Sequence, residues 1–273
     1  MPKEDRGKAE DFLRVRERLC VSASARFLKM EESSGHVWRL NSHDGNISAL
    51  LLHSRRSLFP VFDKNPRVPA PRFLNRFLGK VHIHSLQGLR EDAELLEGLM
   101  ENQGYFAAER IDYALMSLDA LPGPEAFMAG PAELTLRPPE PRDTESLFTL
   151  QSAYEQEEVL PGNMVFNPAS CRFNLKHILA SERVLVAELN GRIVGKINTS
   201  AKSFSRYQIG GVYVRPDCRG MGIAAKMTAF FVRDLLALGK GVTLFVKKRN
   251  NAALKVYLKT GFVVLEDYRI SYY

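Results

Sequence analysis

The spacing of apolar residues changes character several times in the last quarter of the chain. Residues 208–214 are rich in β-branched and aromatic side chains, which predicts a strand, and Pro216 ends it because proline cannot donate to a sheet ladder. Apolar residues at helical spacing follow and stop at Gly239. Residues 242–246 return to a strand pattern. The pattern therefore predicts a strand, a turn, a helix and a second strand in succession.

The turn between the first strand and the helix, Cys-Arg-Gly-Met-Gly-Ile-Ala-Ala at residues 218–225, has the chemistry of a phosphate site. The first backbone N–H groups of a helix lack intrahelical partners, and the helix dipole favours an anion beside them. Gly220 and Gly222 carry no Cβ, so a phosphate oxygen can approach these amides closely. We therefore predict that this turn binds a phosphate group.

The same turn matches a loose dinucleotide fingerprint, Gly-x-Gly-x-x-Ala at residues 220–225, but its surroundings argue against a dinucleotide. Such a site needs an acidic residue at the end of the next strand to bind the ribose hydroxyls. That strand ends in three basic residues, 247–249, whose charge has the wrong sign. A nucleoside triphosphate loop is excluded as well, because Lys226 has neither the required spacing nor the Ser or Thr that should follow.

Residues 219–224, Arg-Gly-Met-Gly-Ile-Ala, resemble the acyl-CoA pyrophosphate loop of the GCN5-related N-acetyltransferases (GNAT superfamily), Arg/Gln-x-x-Gly-x-Gly/Ala. A second signature of this family, Asn-x-x-Ala-x-x-x-Tyr followed by Gly-Phe, resembles residues 250–257 and 261–262. The two motifs stand in the family's order, with a predicted strand between them. The resemblance covers residues 131–273.

The resemblance implies an α/β (α+β) domain with a mixed, mostly antiparallel sheet that splays at the CoA site and is flanked by helices. It implies acetyl-CoA as co-substrate, with the pantetheine arm paired to the backbone of the strand before the loop. The residues of that strand segment are Val212, Tyr213 and Val214.

The resemblance also assigns the groups around the CoA pyrophosphate. Arg219 would add a cation at one side, Asn250 would hydrogen-bond the pantetheine, and Ala253 would keep the wall of the site thin. The pyrophosphate would bind the backbone amides of Gly220, Met221, Gly222, Ile223, Ala224 and Ala225.

Transfer of an acetyl group from a thioester to an amine requires a neutral amine, a stabilised oxyanion and a proton for the leaving thiolate. The resemblance assigns the proton donor to Tyr257, whose phenol, with a reference pKa of about 10, is protonated at neutral pH. The alternative role for Tyr257 is packing on its own helix. The family also implies that the oxyanion faces a strand amide near Val212.

The general base departs from the commoner family pattern. Many relatives carry Glu or Asp on the strand before the loop, whereas this strand has Gln208, Gly210 and Gly211 there. Glu188, Tyr213 and a water chain are the open candidates. The two glycines are interpreted as opening room for the acceptor or for the N-terminal half.

The remainder of the C-terminal half predicts further elements of one domain. Residues 132–137 are a first strand, and Asp143 is placed as the N-cap of a helix that runs to Tyr154. Residues 155–158 are acidic and expected to be exposed. The pattern then predicts a helix at 168–179, a hairpin of strands 184–189 and 192–198 about an Asn-Gly turn, and a strand at 206–215.

The N-terminal half predicts a smaller α/β domain. Helical spacing covers the first 30 residues, and the later elements are a hairpin with an Asp44-Gly45 turn, a strand at 57–62, a proline-rich loop at 65–71, a strand at 81–85, a helix at 89–102 and two strand-like runs up to Leu118. Residues 102–106 echo residues 259–262 of the C-terminal half, which suggests a degenerate GNAT-like copy without a CoA loop. An unrelated α/β domain is the alternative.

Proline and glycine between residues 121 and 131 mark a linker, giving domains 1–122 and 131–273.

Composition excludes several classes of protein. No apolar run is long enough for a spanning helix, and the charged N-terminus predicts no secretion signal. Three widely separated cysteines predict neither a disulfide framework nor a zinc site, so we expect a reducing cytoplasm. His82 and His84 alternate on a predicted strand face, where a metal pair lacks a third ligand and ordinary strand histidines are the simpler interpretation.

The net charge of +7 raises a nucleic-acid hypothesis, but the basic residues are dispersed and no reader motif accompanies them. Two hypotheses therefore lead. The first is an acetyl-CoA-dependent N-acetyltransferase acting on a primary amine of a small molecule, peptide or protein, and the second is a non-catalytic acyl-CoA-binding regulator. The sequence names neither the acceptor nor the acyl length nor the oligomeric state.

Overall fold

The computed structural model describes residues 3–31, 35–42, 45–64, 68–162 and 164–273. Asp44 of the predicted hairpin turn and residues 65–67 of the predicted loop lie outside the described residues. The first half of the chain forms α1 (Lys3–Arg16), α2 (Val21–Leu28), β1 (Gly35–Asn41), β2 (Ile47–Ser54), β3 (Ser57–Phe62), α3 (Pro71–Leu78), β4 (Ser85–Leu89), α4 (Arg90–Glu101) and β5 (Glu109–Leu118). The second half forms α5 (Pro124–Met128), β6 (Thr135–Arg137), α6 (Thr144–Tyr154), α7 (Pro168–Ser181), β7 (Val184–Leu189), β8 (Arg192–Lys202), β9 (Arg206–Val214), α8 (Ile223–Leu236), β10 (Gly241–Lys247), α9 (Asn251–Lys259) and β11 (Val263–Tyr272).

The chain folds into two compact units that are interleaved in sequence. The first unit comprises Met1–Leu115, Phe245–Arg249 and Val264–Tyr273. The second comprises Met116–Leu244 and Asn250–Val263. The linear division into domains 1–122 and 131–273 stays a prediction, because compactness groups the end of the chain with its beginning.

The sheet of the first unit has the strand order β1-β2-β3-β4-β11-β5. β1 and β2 form the predicted antiparallel hairpin, β3 continues it, and β11 pairs antiparallel with β4. Helices α3 and α4 bury their apolar faces against this sheet, in a core that includes the fully buried Leu51, Leu86 and Leu96. The unit therefore has a hydrophobic core of its own.

The second unit has the strand order β6-β7-β8-β9-β10, antiparallel except for the last pair. Asn190 and Gly191 both have positive φ (50° and 75°), as the predicted two-residue hairpin turn between β7 and β8 requires. Helices α6 and α7 pack on one face of the sheet around Leu147, Leu175 and Val186. This is the mixed, mostly antiparallel α/β architecture that was expected.

Each unit contains a β–α–β crossover between parallel strands. The first is β3-α3-β4, whose strands pair at two positions beginning with Ser57 and Ser85. The second is β9-α8-β10, whose strands pair at three positions ending with Gln208 and Thr243. β9 and β10 continue beyond their three paired positions without a ladder, as the family resemblance implied. β3 and β4 stay in contact past their paired positions, because a Cβ on Gly88 would lie 3.1 Å from Pro60 O.

Two predicted strands of the first unit are wrong. The strand expected at residues 81–85 lies at Ser85–Leu89. Val81 and Ile83 alternate in the sequence because both pack against the core, but they do not belong to a strand. His82 and His84 therefore do not lie on a strand. The two runs expected after Gly104 are the single strand β5, because Tyr105 N donates to Met100 O and still belongs to the end of α4.

Four other segments refine the prediction. The first strand of the second unit is only Thr135–Arg137, and the linker contains the short helix α5. Pro71 begins α3 in what was expected to be loop, because proline fits the first helical position, where its missing N–H would have no partner. Asp143 precedes α6 as expected, but its carboxylate accepts from Glu140 N (2.6 Å) and does not cap α6.

Candidate active site

The backbone of β9 presents two residues to its unpaired edge. Arg215 N donates to Val194 O of β8 (2.8 Å), so by the alternation of an antiparallel ladder Tyr213 also faces β8, while Val212 and Val214 face away from it. In agreement with this, Val214 O accepts from Arg219 Nε (3.1 Å) instead of from β8. The geometry suits an extended ligand arm lying along residues 212–214, the segment predicted from the sequence.

The turn before α8 carries a run of free donors. Gly220 and Gly222 both have φ of 80°, and the first helical hydrogen bond runs from Lys226 N to Gly222 O (3.1 Å). Within the described ranges, no carbonyl or side chain accepts a hydrogen bond from the amides of residues 220–225. Six consecutive N–H groups at the positive end of a 14-residue helix give this turn the chemistry that favours an anion.

The two glycines of this turn serve different purposes. A Cβ on Gly220 would meet nothing within 4 Å, so that position stays open above the amides. A Cβ on Gly222 would lie 2.8 Å from Gly130 N, so its small size is required by the neighbouring loop. Met221 between them is exposed, whereas Ile223 and Ala225 are buried and Ala224 is half-buried. The turn thus packs against Gly130 at Gly222 and is open at Gly220.

Arg219, predicted to neutralise the pyrophosphate, already has an anionic partner. Its guanidinium donates to Glu157 Oε2 (2.8 Å) and lies over the Tyr213 ring, 5.2 Å from the centroid. Tyr213 donates its hydroxyl to the same carboxylate oxygen (3.2 Å). The Arg219–Glu157 pair is nearly half exposed on both sides, so solvent screens it and its strength is modest.

Glu157 lies in a π-helical turn, Glu155–Val159, that continues α6. The sequence predicted an acidic, exposed segment, but Glu155 and Glu158 are half-buried. Glu158 Oε1 accepts from the side-chain amide of Asn250 (2.8 Å). The run of glutamates gave no apolar periodicity from which this placement could have been found, although π-turns often accompany functional sites.

The second signature forms the start and the buried face of α9. Asn250 Oδ1 accepts from Ala253 N (3.0 Å) and caps the helix. Tyr257 is buried, and its ring meets Phe262 edge-on at 5.8 Å. Burial raises the pKa of Tyr257 above its ordinary value, with smaller contributions from Tyr154 and Glu158, so its phenol stays protonated through the physiological range.

The site contains one functional group that sequence reasoning missed. Lys196 on β8 is 1% exposed, and its ammonium donates to Gly211 O (3.0 Å) and Asn198 Oδ1 (3.2 Å). Gly211 has φ of 60°, and a Cβ there would lie 2.7 Å from Lys196 Nζ and collide with Asn198 Oδ1. Burial lowers the pKa of Lys196 to about 7, opposed by the nearby Glu155 and Cys171.

The signal for Lys196 was the glycine pair of β9. The sequence interpretation gave the space at these glycines to the acceptor or to the N-terminal half. In the structure the space at Gly211 is filled by the side chains of Lys196 and Asn198, at a bulge in the pairing of β8 with β9. A glycine in a strand interior thus marked a close approach of protein side chains.

Both side chains proposed as the general base have partners. Glu188 Oε2 accepts from Arg137 Nε (2.8 Å), and the same guanidinium pairs with Asp143 (2.7 Å). Burial raises the pKa of Tyr213, and the adjacent Glu157 raises it further. A phenol with a raised pKa is a poor proton acceptor at neutral pH because it is already protonated.

Other chemistry is limited. In the described parts of the chain, no three His, Cys, Asp or Glu residues converge as a metal site. Cys20, Cys171 and Cys218 are buried free thiols. No helix among the residues that the structure describes is long and apolar enough to cross a membrane.

Residues 144–262 match the family model described as the acetyltransferase (GNAT) family. This range contains both sequence motifs and the π-turn. No curated protein matches the chain.

Solved structures share the fold over nearly the whole chain. A GCN5-related N-acetyltransferase-like protein from Streptococcus suis is 16% identical with a TM-score of 0.57, covering 97% of this chain and 98% of that one. A GCN5-related N-acetyltransferase from Kribbella flavida is 15% identical with a TM-score of 0.59, covering 92% and 94%. A tandem GNAT protein from the clavulanic acid biosynthesis pathway is 12% identical with a TM-score of 0.60, covering 98% and 94%. Identities this low establish the fold and leave the substrate to be argued from the site.

Proposed function

We propose that the region matching the GNAT acetyltransferase family model, residues 144–262, transfers an acetyl group from acetyl-CoA directly to a primary amine. The run of unpaired amides at residues 220–225 is the observation that carries the proposal. A doubly charged pyrophosphate provides several acceptor oxygens for such a run, and its negative charge is favoured by the positive end of the helix dipole. The cofactor contacts inferred from the family remain part of this proposal.

The pantetheine arm would lie along the outward-facing backbone of Val212 and Val214. This arrangement carries the thioester from the turn along β9 toward the bulge at Gly211. Asn250 already caps α9 and binds Glu158, so its contribution is to fix the start of that helix beside the ligand. CoA would also compete with Glu157 for Arg219, exchanging a screened ion pair for one with phosphate.

In the chemical step, the neutral amine attacks the thioester carbonyl carbon and the carbonyl π electrons move to oxygen. The Val212 N–H would stabilise that oxyanion. Collapse of the tetrahedral intermediate re-forms the carbonyl and breaks the C–S bond, and the phenol of Tyr257 protonates the departing sulfur. The attacking nitrogen loses one proton, and CoA leaves as the thiol.

The proton that the attacking nitrogen loses requires an acceptor. Glu188 is bound to Arg137, and Tyr213 has a raised pKa. These partners favour the water chain over either side chain as the route for the proton.

We also propose that the N-terminal half is a degenerate GNAT-like copy that shapes access to the acceptor. Its β3-α3-β4 crossover repeats the order of the second crossover but lacks the two glycines in left-handed conformation before the helix. A copy without that turn would not bind CoA by the same route.

Calorimetric titration tests the proposal by comparing CoA with pantetheine, which lacks the pyrophosphate. We expect CoA to bind at least about tenfold more tightly, and equal affinities would overturn the role of the turn. Thiol release from acetyl-CoA is then measured against a panel of polyamines, amino acids, aminoglycosides and peptides. Release with at least one amine identifies the enzyme, whereas tight CoA binding without release from any amine would instead favour the regulator.

A further inference from the structure

The second unit holds a buried lysine that the proposed reaction does not use. Lys196 Nζ lies 5.0 Å from the centroid of the Tyr154 ring and donates to Gly211 O and Asn198 Oδ1. The titratable groups facing it are Tyr154 of α6, Glu155 of the π-turn and Cys171 of α7. Within the described ranges, no carboxylate lies within ion-pair distance of Lys196, so its two oxygen partners are its main polar contacts.

One of these partners belongs to a peptide group that matters for the reaction. The Gly211 carbonyl and the Val212 N–H are the two ends of the same trans peptide, so they point in opposite directions. The carbonyl points to Lys196, and Val212 faces the unpaired edge of β9. A hydrogen bond to the carbonyl polarises the peptide and makes its N–H a stronger donor, and the effect is larger when the donor is charged.

We infer that Lys196 is a positioning residue that strengthens the Val212 N–H as a donor to the thioester carbonyl oxygen, acting through the Gly211–Val212 peptide. The inference rests on the proposed function, since it requires acetyl-CoA along β9. It also accounts for Gly211: only glycine leaves space for Lys196 and Asn198 at a φ of 60°.

Lys196 does not act as the general base in this scheme. Its amine is 1% exposed and is enclosed by Gly211, Asn198 and the Tyr154 ring, so an acceptor amine does not reach it. Its influence passes through the backbone, which is why its effect is measured on the thioester carbonyl itself.

Isotope-edited infrared spectroscopy of acetyl-CoA labelled with ¹³C at the acetyl carbonyl provides this measurement without knowledge of the acceptor. We expect the stretch of the bound carbonyl to lie below that of free acetyl-CoA. In Lys196→Met this downshift should shrink by roughly a third or more, while CoA affinity stays within about twofold of wild type. Lys202→Met, on the exposed end of the same strand, is the matched control and should leave the frequency unchanged.

The wild-type protein supplies a second measurement in case Lys196→Met does not fold. Because burial lowers the pKa of Lys196 to about 7, the bound carbonyl frequency should move toward the free value between about pH 6 and about pH 9. A frequency that is flat with pH, or unchanged in a folded Lys196→Met variant, would overturn the inference. Failure of the wild type to bind CoA would instead refute the proposed function.

Discussion

The two β–α–β crossovers show how one topology can keep or lose a ligand site. Before α8, Gly220 and Gly222 take left-handed conformations and leave six amides free, whereas α3 follows Ala70 in extended conformation and begins with Pro71, which has no N–H. β3 and β4 stay in contact past their two paired positions, at Pro60 and Gly88, whereas β9 and β10 continue beyond their three paired positions without a ladder. The second crossover thus combines an open strand edge with the free amides that would favour an anion.

The helices that follow the two crossovers, α4 and α9, differ at the residue that the proposed mechanism uses. α4 and α9 each end at a glycine with positive φ, 84° at Gly104 and 91° at Gly261. The next residue donates its N–H to Met100 O in the first unit (3.1 Å) and to Tyr257 O in the second (3.0 Å). Met100 therefore occupies the place of Tyr257, and it is likewise buried but has no transferable proton. The first unit keeps this packing without the phenol that we propose as the acid.

The largest expected effect comes from removing the proposed acid. Tyr257→Phe keeps the buried ring and deletes only the hydroxyl, so we expect kcat to fall by roughly 10²–10⁴ with CoA affinity unchanged. Met100→Leu is the matched change in the first unit and should cost less than about 1.5 kcal/mol of stability without altering turnover. Thiol release with the acceptor found in the panel measures both. Near-normal turnover of Tyr257→Phe would remove Tyr257 from the mechanism.

A second comparison sets glycine against glycine. Gly222→Ala places a Cβ 2.8 Å from Gly130 N at a φ of 80°, so we expect a loss of about 1–3 kcal/mol in unfolding free energy together with weaker CoA binding. Gly104→Ala has a similar φ but no atom within 4 Å of the new Cβ, so it should cost about 1–2 kcal/mol and leave CoA binding intact. Chemical denaturation and calorimetry separate strain from binding. Equal effects on CoA affinity would show that the turn before α8 is not special.

The two units should also respond to pH with opposite sign. Burial raises the pKa of Asp92 in the first unit to about 7, so the folded state holds a proton that the unfolded state has released, and this contribution to stability is lost as pH rises from about 4 to about 7. Burial lowers the pKa of Lys196 to about 7, so the unfolded state binds the extra proton and stability rises from about pH 7 toward pH 10.

Urea denaturation at a series of pH values measures these slopes, each up to about 1.4 kcal/mol per pH unit. The difference in unfolding free energy between wild type and Asp92→Asn should fall between about pH 4 and 7. The difference between wild type and Lys196→Met should rise between about pH 7 and 9, below the range in which the buried Cys20 titrates. A pair of differences with the same sign would contradict the buried states of these two groups.

Several features of the second unit could be predicted from the sequence because each depends on a short stretch of neighbouring residues. The Asn190-Gly191 turn, the glycine turn before α8 and the capped start of α9 each depend on residues adjacent in sequence. Lys196 could not be predicted in the same way, since its burial depends on a bulge that brings β8 and β9 together. The prediction of a strand at residues 81–85 was wrong for a related reason. Alternation indicates which side chains are buried, but it does not indicate which backbones pair.

The smallest expected effect concerns Arg219, the cation beside the turn before α8. Arg219 binds Glu157 across a pair that is nearly half exposed, and exposed pairs are worth about 0.2–1 kcal/mol. Glu157→Gln removes the competing charge, so Arg219 becomes available to phosphate and CoA affinity should rise by about 1.5- to 5-fold. Glu145→Gln breaks the more exposed Arg172–Glu145 pair away from the turn and should leave CoA affinity unchanged. Calorimetric titration at low and moderate salt measures both variants, and the gain should shrink as salt screens the original pair. Weaker CoA binding by Glu157→Gln would show that Glu157 holds Arg219 in place for the ligand and does not compete with it.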